Sequence, residues 1–140
     1  MEKSSFEKVA ATEKPLYGPR KLLLCGFPAG AREKFGEVLA RVGLTDLPRV
    51  WATDAQADTP LIELIELPDG AGAEAASNLP RAVIVAGIRQ AQLIGLMNAC
   101  KQSGMQAALW AVLTPVSERW SLHRLLSELD REREAMKRRR

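Results

Sequence analysis

Lys21-Leu22-Leu23-Leu24-Cys25-Gly26 decides the fold of this chain, because an unbroken apolar run closed by glycine is the pattern of a strand covered on both faces. Ala82-Val83-Ile84-Val85-Ala86-Gly87 repeats that pattern downstream. Reading outward from the first run, Pro28 can open a helix, since its missing N–H is unneeded in a first turn. Phe35, Val38, Leu39 and Val42 then fall on one helical face, and Gly43 ends the helix. Val50-Trp51-Ala52 reads as a shorter second strand. Thr59 through Leu67 is open to helix or strand, and Thr59 as cap with Pro60 at the first helical position favours a short helix. After the second long run, Leu93, Leu96, Met97 and Cys100 face one way on a helix that Gly104 terminates. Ala107–Leu113 is a fourth strand, and a final helix runs from Ser121 to about Met136.

Sliding the chain on itself by 61 positions lines these elements up without a gap. Gly26 meets Gly87, Leu39 meets Cys100, Gly43 meets Gly104, Thr53 meets Thr114, Leu61 meets Leu122 and Leu64 meets Leu125. The spacing predicts two βαβα half-repeats, 21–67 and 82–128, joined by a Gly/Ala/Ser-rich linker at 68–80; convergent βαβα regularity is the other explanation. The expected fold class is α/β, a four-stranded, mostly parallel sheet of order 2-1-3-4 with helices on its faces. The two most apolar strands take the centre. A ferredoxin-like α+β sheet with antiparallel neighbours is the alternative. The domain is expected over 21–136, after a flexible leader at 1–20 and ahead of a basic tail at 137–140.

A chain of 140 residues, 46% hydrophobic and 26% charged, can bury a core without a metal or a disulfide. Cys25 and Cys100 stand far apart and outside any Cys-x-x-Cys pair, so they read as reduced, buried side chains. No apolar run backs the N-terminal residues, which argues against a signal peptide. The longest apolar stretches fall short of the ~20 residues that cross a bilayer, so a cytoplasmic chain with no membrane role is expected. The net charge of +3 lies in the ends: Arg131, Arg133, Lys137, Arg138, Arg139 and Arg140 outnumber Asp130, Glu132 and Glu134, whereas residues 21–129 sum to −1. The folded body therefore lacks the basic face of a nucleic-acid binder.

In a parallel 2-1-3-4 sheet a crevice opens beyond the first and third strands. Gly26-Phe27-Pro28-Ala29 and Gly87-Ile88-Arg89-Gln90 would line it, and Gly26, Phe27, Gly87, Arg89 and Gln90 are the candidate ligand-binding residues. Helix N-termini beside Arg89 can hold a small anion. The motif Gly26-x-x-x-Gly30 is neither a dinucleotide fingerprint nor a phosphate loop, and both glycines are also explained by tight strand-to-helix turns. No catalytic set assembles. His123 is the sole histidine and reads as solvent-facing, Glu63 and Glu66 as a polar helix face, Asp54 and Asp58 as turn residues, and Ser117 and Ser121 lack a base. Nothing calls for a cofactor or a metal.

The most specific stretch is Ala111-Val112-Leu113-Thr114-Pro115-Val116-Ser117-Glu118-Arg119-Trp120-Ser121-Leu122-His123-Arg124-Leu125 and the helix that continues it. Thr114-Pro115 stops the strand, because proline cannot donate to a ladder. Ser121 caps the helix, with Trp120 and Leu125 as a hydrophobic staple. A strand running into Thr-Pro, a polar turn, Trp and an amphipathic Leu-Leu-x-Glu-Leu helix resembles the signature of a bacterial family known as domain of unknown function 3783. The resemblance covers about 82–133. It implies the strand–helix–strand–helix fold and brings no activity.

A missing catalytic set beside a well-specified core suggests a non-catalytic protein-interaction or binding module, with enzymatic activity disfavoured. The helix at 90–103 carries Gln90, Gln92, Ile94, Asn98 and Gln102 outside its core face. So weakly charged a surface suits a homodimer or an unknown protein partner. The alternatives are anion or nucleotide binding in the crevice and weak nucleic-acid binding through the basic tail.

Overall fold

Strands Lys21–Cys25 (β1) and Ala82–Ala86 (β3) lie side by side at the middle of the sheet, as their composition demands. The computed structural model describes residues 14–75 and 77–139. Between and after these strands come helix α1 (Ala29–Arg41), strand β2 (Arg49–Trp51), a 3-10 turn (Asp54–Gln56) and the short helix α2 (Leu61–Ile65). The second half adds helix α3 (Gln90–Gln102), strand β4 (Leu109–Val112), a 3-10 turn (Ser117–Arg119) and the long helix α4 (Leu122–Arg138). The sheet order is β2-β1-β3-β4, the order expected, in an α/β architecture. The sheet is mixed: β1 pairs with β2 and β3 with β4 in parallel, whereas β1 and β3 are antiparallel. A ferredoxin-like sheet does not form.

The segment 68–80 sets the direction of β3. After α2 the chain turns back along the outer edge of β2, where the Trp51 amide donates to the Ala71 carbonyl (2.8 Å) and the Gly70 amide to that of Arg49 (2.8 Å). It then crosses the C-terminal ends of β1 and β2. Arg32 holds it there, donating to the Phe27 carbonyl (3.0 Å) and to those of Ala73 and Ala75 while its guanidinium stacks 4.9 Å from the Trp51 ring. Asp54 takes the Asn78 amide (2.8 Å) and the Ser77 hydroxyl (3.1 Å). The chain thus enters β3 at the end where β1 finishes, and β3 must run back.

The offset of 61 relates the two halves closely. Leu22↔Arg49, Leu23↔Val50 and Leu24↔Trp51 in one parallel pair become Val83↔Trp110, Ile84↔Ala111 and Val85↔Val112 in the other. In the central pair Leu23 faces Ile84, its own equivalent. A local two-fold axis perpendicular to the sheet passes between those residues, since that is the symmetry of an antiparallel pair. The axis also passes through an isolated bridge between Pro60 and Ser121, made by Leu61 N–H to the Trp120 carbonyl (2.9 Å) and Leu122 N–H to that of Thr59 (3.0 Å).

Such an axis keeps equivalent helices on one face. Leu22, Leu24, Val83 and Val85 pack against Phe35, Leu39 and Leu96 of α1 and α3. Leu23, Cys25, Ile84 and Ala86 pack against Leu61, Leu64, Leu122 and Leu125 of α2 and α4. Successive strand residues point to opposite faces, so coverage on both leaves no polar position in either run. Each leucine buried in this way contributes roughly 1.5–3 kcal/mol.

Two boundaries differ from expectation. Residues 14–20, read as part of a loose leader, are held at the far end of β3: Leu16 N–H donates to the Ile88 carbonyl (2.7 Å), Gly87 N–H to that of Tyr17 (3.1 Å), and the Tyr17 hydroxyl to Glu118 (2.7 Å). Residues 1–13 of that leader lie outside the described residues. Lys137 and Arg138, read as tail, belong to α4; Arg140 lies outside the described residues. Among the described residues no helix is long and apolar enough to cross a membrane.

Candidate functional site

The antiparallel centre separates the residues that a shared crevice would have joined. Gly26 follows β1 at one end of the sheet, and Gly87 follows β3 at the other. Each takes φ near +72°, a conformation that favours glycine. Each also lies tight against the segment leading into the neighbouring strand, so that an added Cβ would press into Leu79 and Pro80 at Gly26, or into Pro19 and Arg20 at Gly87. The crevice between the two turns is therefore not formed. Gly26 stays with Phe27. Arg89 and Gln90 stay with Gly87 at the exposed start of α3, where the Arg89 amide donates to the Gln92 side chain (2.9 Å).

The second-half motif is built as its residues suggest. Pro115 opens the turn after β4, and Thr114 and Ser117 close it reciprocally: the Ser117 hydroxyl accepts from Thr114 N–H (3.1 Å) and the Thr114 hydroxyl from Ser117 N–H (2.9 Å). Ser117 is consequently buried with its polar atoms satisfied. The Ser121 hydroxyl caps α4 by accepting from Arg124 N–H (3.1 Å). Leu125 is buried, Trp120 packs against the same core, and Arg124 stacks 4.2 Å from the Trp120 ring. His123 is exposed. These residues hold the fold and line neither of the two clefts described below.

A cleft of about 470 Å³ opens instead under the C-terminal half of α3, at the Gly26–Phe27 end of the sheet. Its origin is visible in the repeat. In the first half Leu44 and Leu47 fill this position, each 1% exposed, and Arg49 folds back onto the carbonyls of Thr45 and Leu47. The equivalent residues of the second half are Met105, Ala108 and Trp110. Replacing Leu47 by alanine in that scheme removes the plug, and the space stays open between Trp110, Met97, Met105 and Phe27. Phe27 is fixed at the base by edge-on contacts with Phe35 (5.3 Å) and Trp51 (5.8 Å).

The cleft has one distinctive polar wall. Arg81 donates through Nε to the Gly26 carbonyl (3.0 Å), and its guanidinium lies 4.4 Å from the Phe27 ring. Among the described residues no carboxylate pairs with it, and burial lowers its pKa below the usual guanidinium value. Lys101 is the other charged residue of the lining, which contains no Asp or Glu. Cys100 adds an apolar wall rather than a nucleophile, because burial pushes its thiol up to about 11; Cys25 beneath the sheet is pushed up to about 12. Among the described residues no three His, Cys, Asp or Glu side chains gather into a metal-sized group. The arrangement can bind an apolar group bearing a negative charge.

A second, shallower cleft of about 340 Å³ lies across β4, between Leu109 and Trp110 and the α4 residues Leu129, Arg133 and Met136. Two clefts thus flank one edge strand on its two faces.

The class of protein defined by this architecture is a pseudo-two-fold α/β domain with a mixed 2-1-3-4 sheet. Within it, residues 81–136, which are β3 to α4 with the cleft's Arg81, Trp110 and Met105, match the model of the family described as Domain of unknown function (DUF3783). The match falls on the second half of the chain, and the first half lies outside it. No curated protein and no solved structure matches the chain.

Reading the sequence for motifs missed Arg81, Lys101, Met105 and Trp110 because none belongs to a catalytic or phosphate-binding pattern. The signal that marks them is the internal alignment itself, read for side-chain volume: Leu47 stands against Ala108 and Arg49 against Trp110.

Proposed function

We propose that this domain is a non-catalytic binding module whose site is the Arg81 cleft, and that its ligand presents an apolar group together with a carboxylate. The observation that carries the reading is a half-buried arginine that has no acidic partner among the described residues, in an apolar cleft whose only other charge among them is Lys101. A desolvated cation left unpaired in this way costs stability, and a bound carboxylate offsets that cost through charge-assisted hydrogen bonds. Trp110, Met97 and Met105 supply adaptable apolar contacts.

The same geometry argues against the other readings. A nucleotide mouth between the first and third strands has no counterpart once Gly26 and Gly87 stand at opposite ends. Along α4 Arg131 pairs with Glu128 (3.5 Å), Lys137 with Glu134 (3.7 Å), and Arg133 with Asp130, which leaves the basic excess to the short stretch after Lys137 and so to salt-sensitive, sequence-independent contacts.

The test is an NMR titration with 4-phenylbutyrate and its neutral amide. The acid is expected to shift the Met97 and Met105 methyls and the Trp110 indole, and to bind about tenfold more tightly than the amide, the discrimination that one charge-assisted hydrogen bond gives. Arg81→Gln should erase that preference. Equal binding of the two probes, or cleft resonances that do not move, would overturn the reading.

A further inference from the structure

We infer that the cleft is half of a strand-addition site: the outer edge of β4 takes an extended, acidic segment of a partner protein as a fifth strand. This deepens the binding-module reading and rests on it. The repeat supplies a precedent. On the equivalent edge of β2 the chain adds its own extended segment, through Trp51 N–H to Ala71 and Gly70 N–H to Arg49. Among the described residues the second half has no such segment, because α4 continues as helix to Arg138 where the first half turns back after α2. Leu109 and Leu113 spend their amides on β3, donating to Arg81 and Val85 (both 2.9 Å). Strand alternation therefore aims the N–H and C=O groups of Trp110 and Val112 outward, and no described residue takes them.

Proteins guard an open edge with Lys, Pro, a bulge or a cover, and among the described residues Leu109-Trp110-Ala111-Val112 has none of these. Two clefts flank this edge. Side chains of an added strand alternate between the two faces, so one set enters the Arg81 cleft and the other the Leu129–Met136 cleft. Backbone bonds supply affinity and the two clefts supply selectivity. Charge then selects the occupant. The first cleft holds Arg81 and Lys101 with no acid, so the segment carries Asp or Glu on that side. A second copy of this chain fits less well: antiparallel self-pairing about Ala111 would present Trp110 and Val112 to that face, leaving Arg81 without a carboxylate.

The experiment uses the full chain and a short acetylated peptide of alternating Val and Glu, followed by amide hydrogen exchange and NMR shifts. Binding is expected to slow exchange at Trp110 and Val112 and to shift Met105. An N-methylated version of the peptide should bind at least about tenfold more weakly, since it loses the backbone bonds, as should a Val/Lys version. Three results would overturn the inference. One is a peptide that shifts the cleft without protecting those two amides; another is tight binding of the N-methylated peptide. The third is protection of Trp110 and Val112 in the free protein, whether lost on dilution (a second copy) or retained (the chain itself). If 4-phenylbutyrate still binds with its preference for Arg81 intact, only strand addition has failed. If it does not, the binding-module reading has failed as well.

Discussion

The two halves share a strand register and differ in what closes it. In the first, Leu44 and Leu47 seal the space under α1, and residues 70–71 cover the edge of β2. In the second, Met105 and Ala108 leave a cleft, and the edge of β4 is bare among the described residues. A structural scaffold gains nothing from leaving a half-buried arginine unpaired beside an unguarded edge. The contrast teaches that the first half is the closed form of the unit and the second its open form.

The largest effect that can break this comparison is at the axis. Leu23→Ala and Ile84→Ala should each cost about 2–5 kcal/mol in urea unfolding, by similar amounts, because the two side chains occupy equivalent, fully buried places. A large disparity would argue against equivalence. Next come the strand-ending glycines. Gly26→Ala and Gly87→Ala combine positive φ with backbone contact and should each cost about 2–4 kcal/mol. Gly43→Ala and Gly104→Ala, with φ of +77° and +72° and open space around each, should lose only about 1–2 kcal/mol.

Ala108→Leu sharpens the comparison by installing the first half's plug. It should change stability by no more than about 1 kcal/mol and abolish 4-phenylbutyrate binding; unaltered probe binding would mean that the cleft is not closed as Leu47 closes its counterpart. The smallest effect is at Tyr17. Its pKa is raised above the ordinary 10, chiefly because its hydroxyl donates to Glu118. A group whose folded pKa lies higher than its unfolded one stabilises the fold below the unfolded value, and that stabilisation is lost as pH rises through the folded value. Wild type should therefore lose slightly more stability above pH 10 than Tyr17→Phe, as alkaline urea titrations would show.

Much of the fold was legible. The two apolar runs gave the centre of the sheet, and the glycines at 26, 43, 87 and 104 marked element ends that the structure repeats. The direction of β1 against β3 was not legible, for a physical reason. A continuous apolar run reports that both faces are covered, and helices cover both faces here whichever way the strands run. The direction is set by Arg32, Asp54 and residues 70–73, polar contacts that leave no periodic trace. That one reversal moved Gly87, Arg89 and Gln90 away from Gly26 and Phe27. Of the candidate ligand residues only Phe27 lines the cleft, and Gly26 serves through the carbonyl that positions Arg81.

Hydrogen exchange at one equivalent pair of amides tests the open-edge claim most directly. Trp51 N–H is bonded to Ala71, whereas Val112 N–H, its counterpart 61 residues on, faces outward from β4. In the free chain at low concentration Val112 should exchange at least about tenfold faster than Trp51. Equal protection of both amides would show that the second half is closed like the first, and would contradict the site proposed on it.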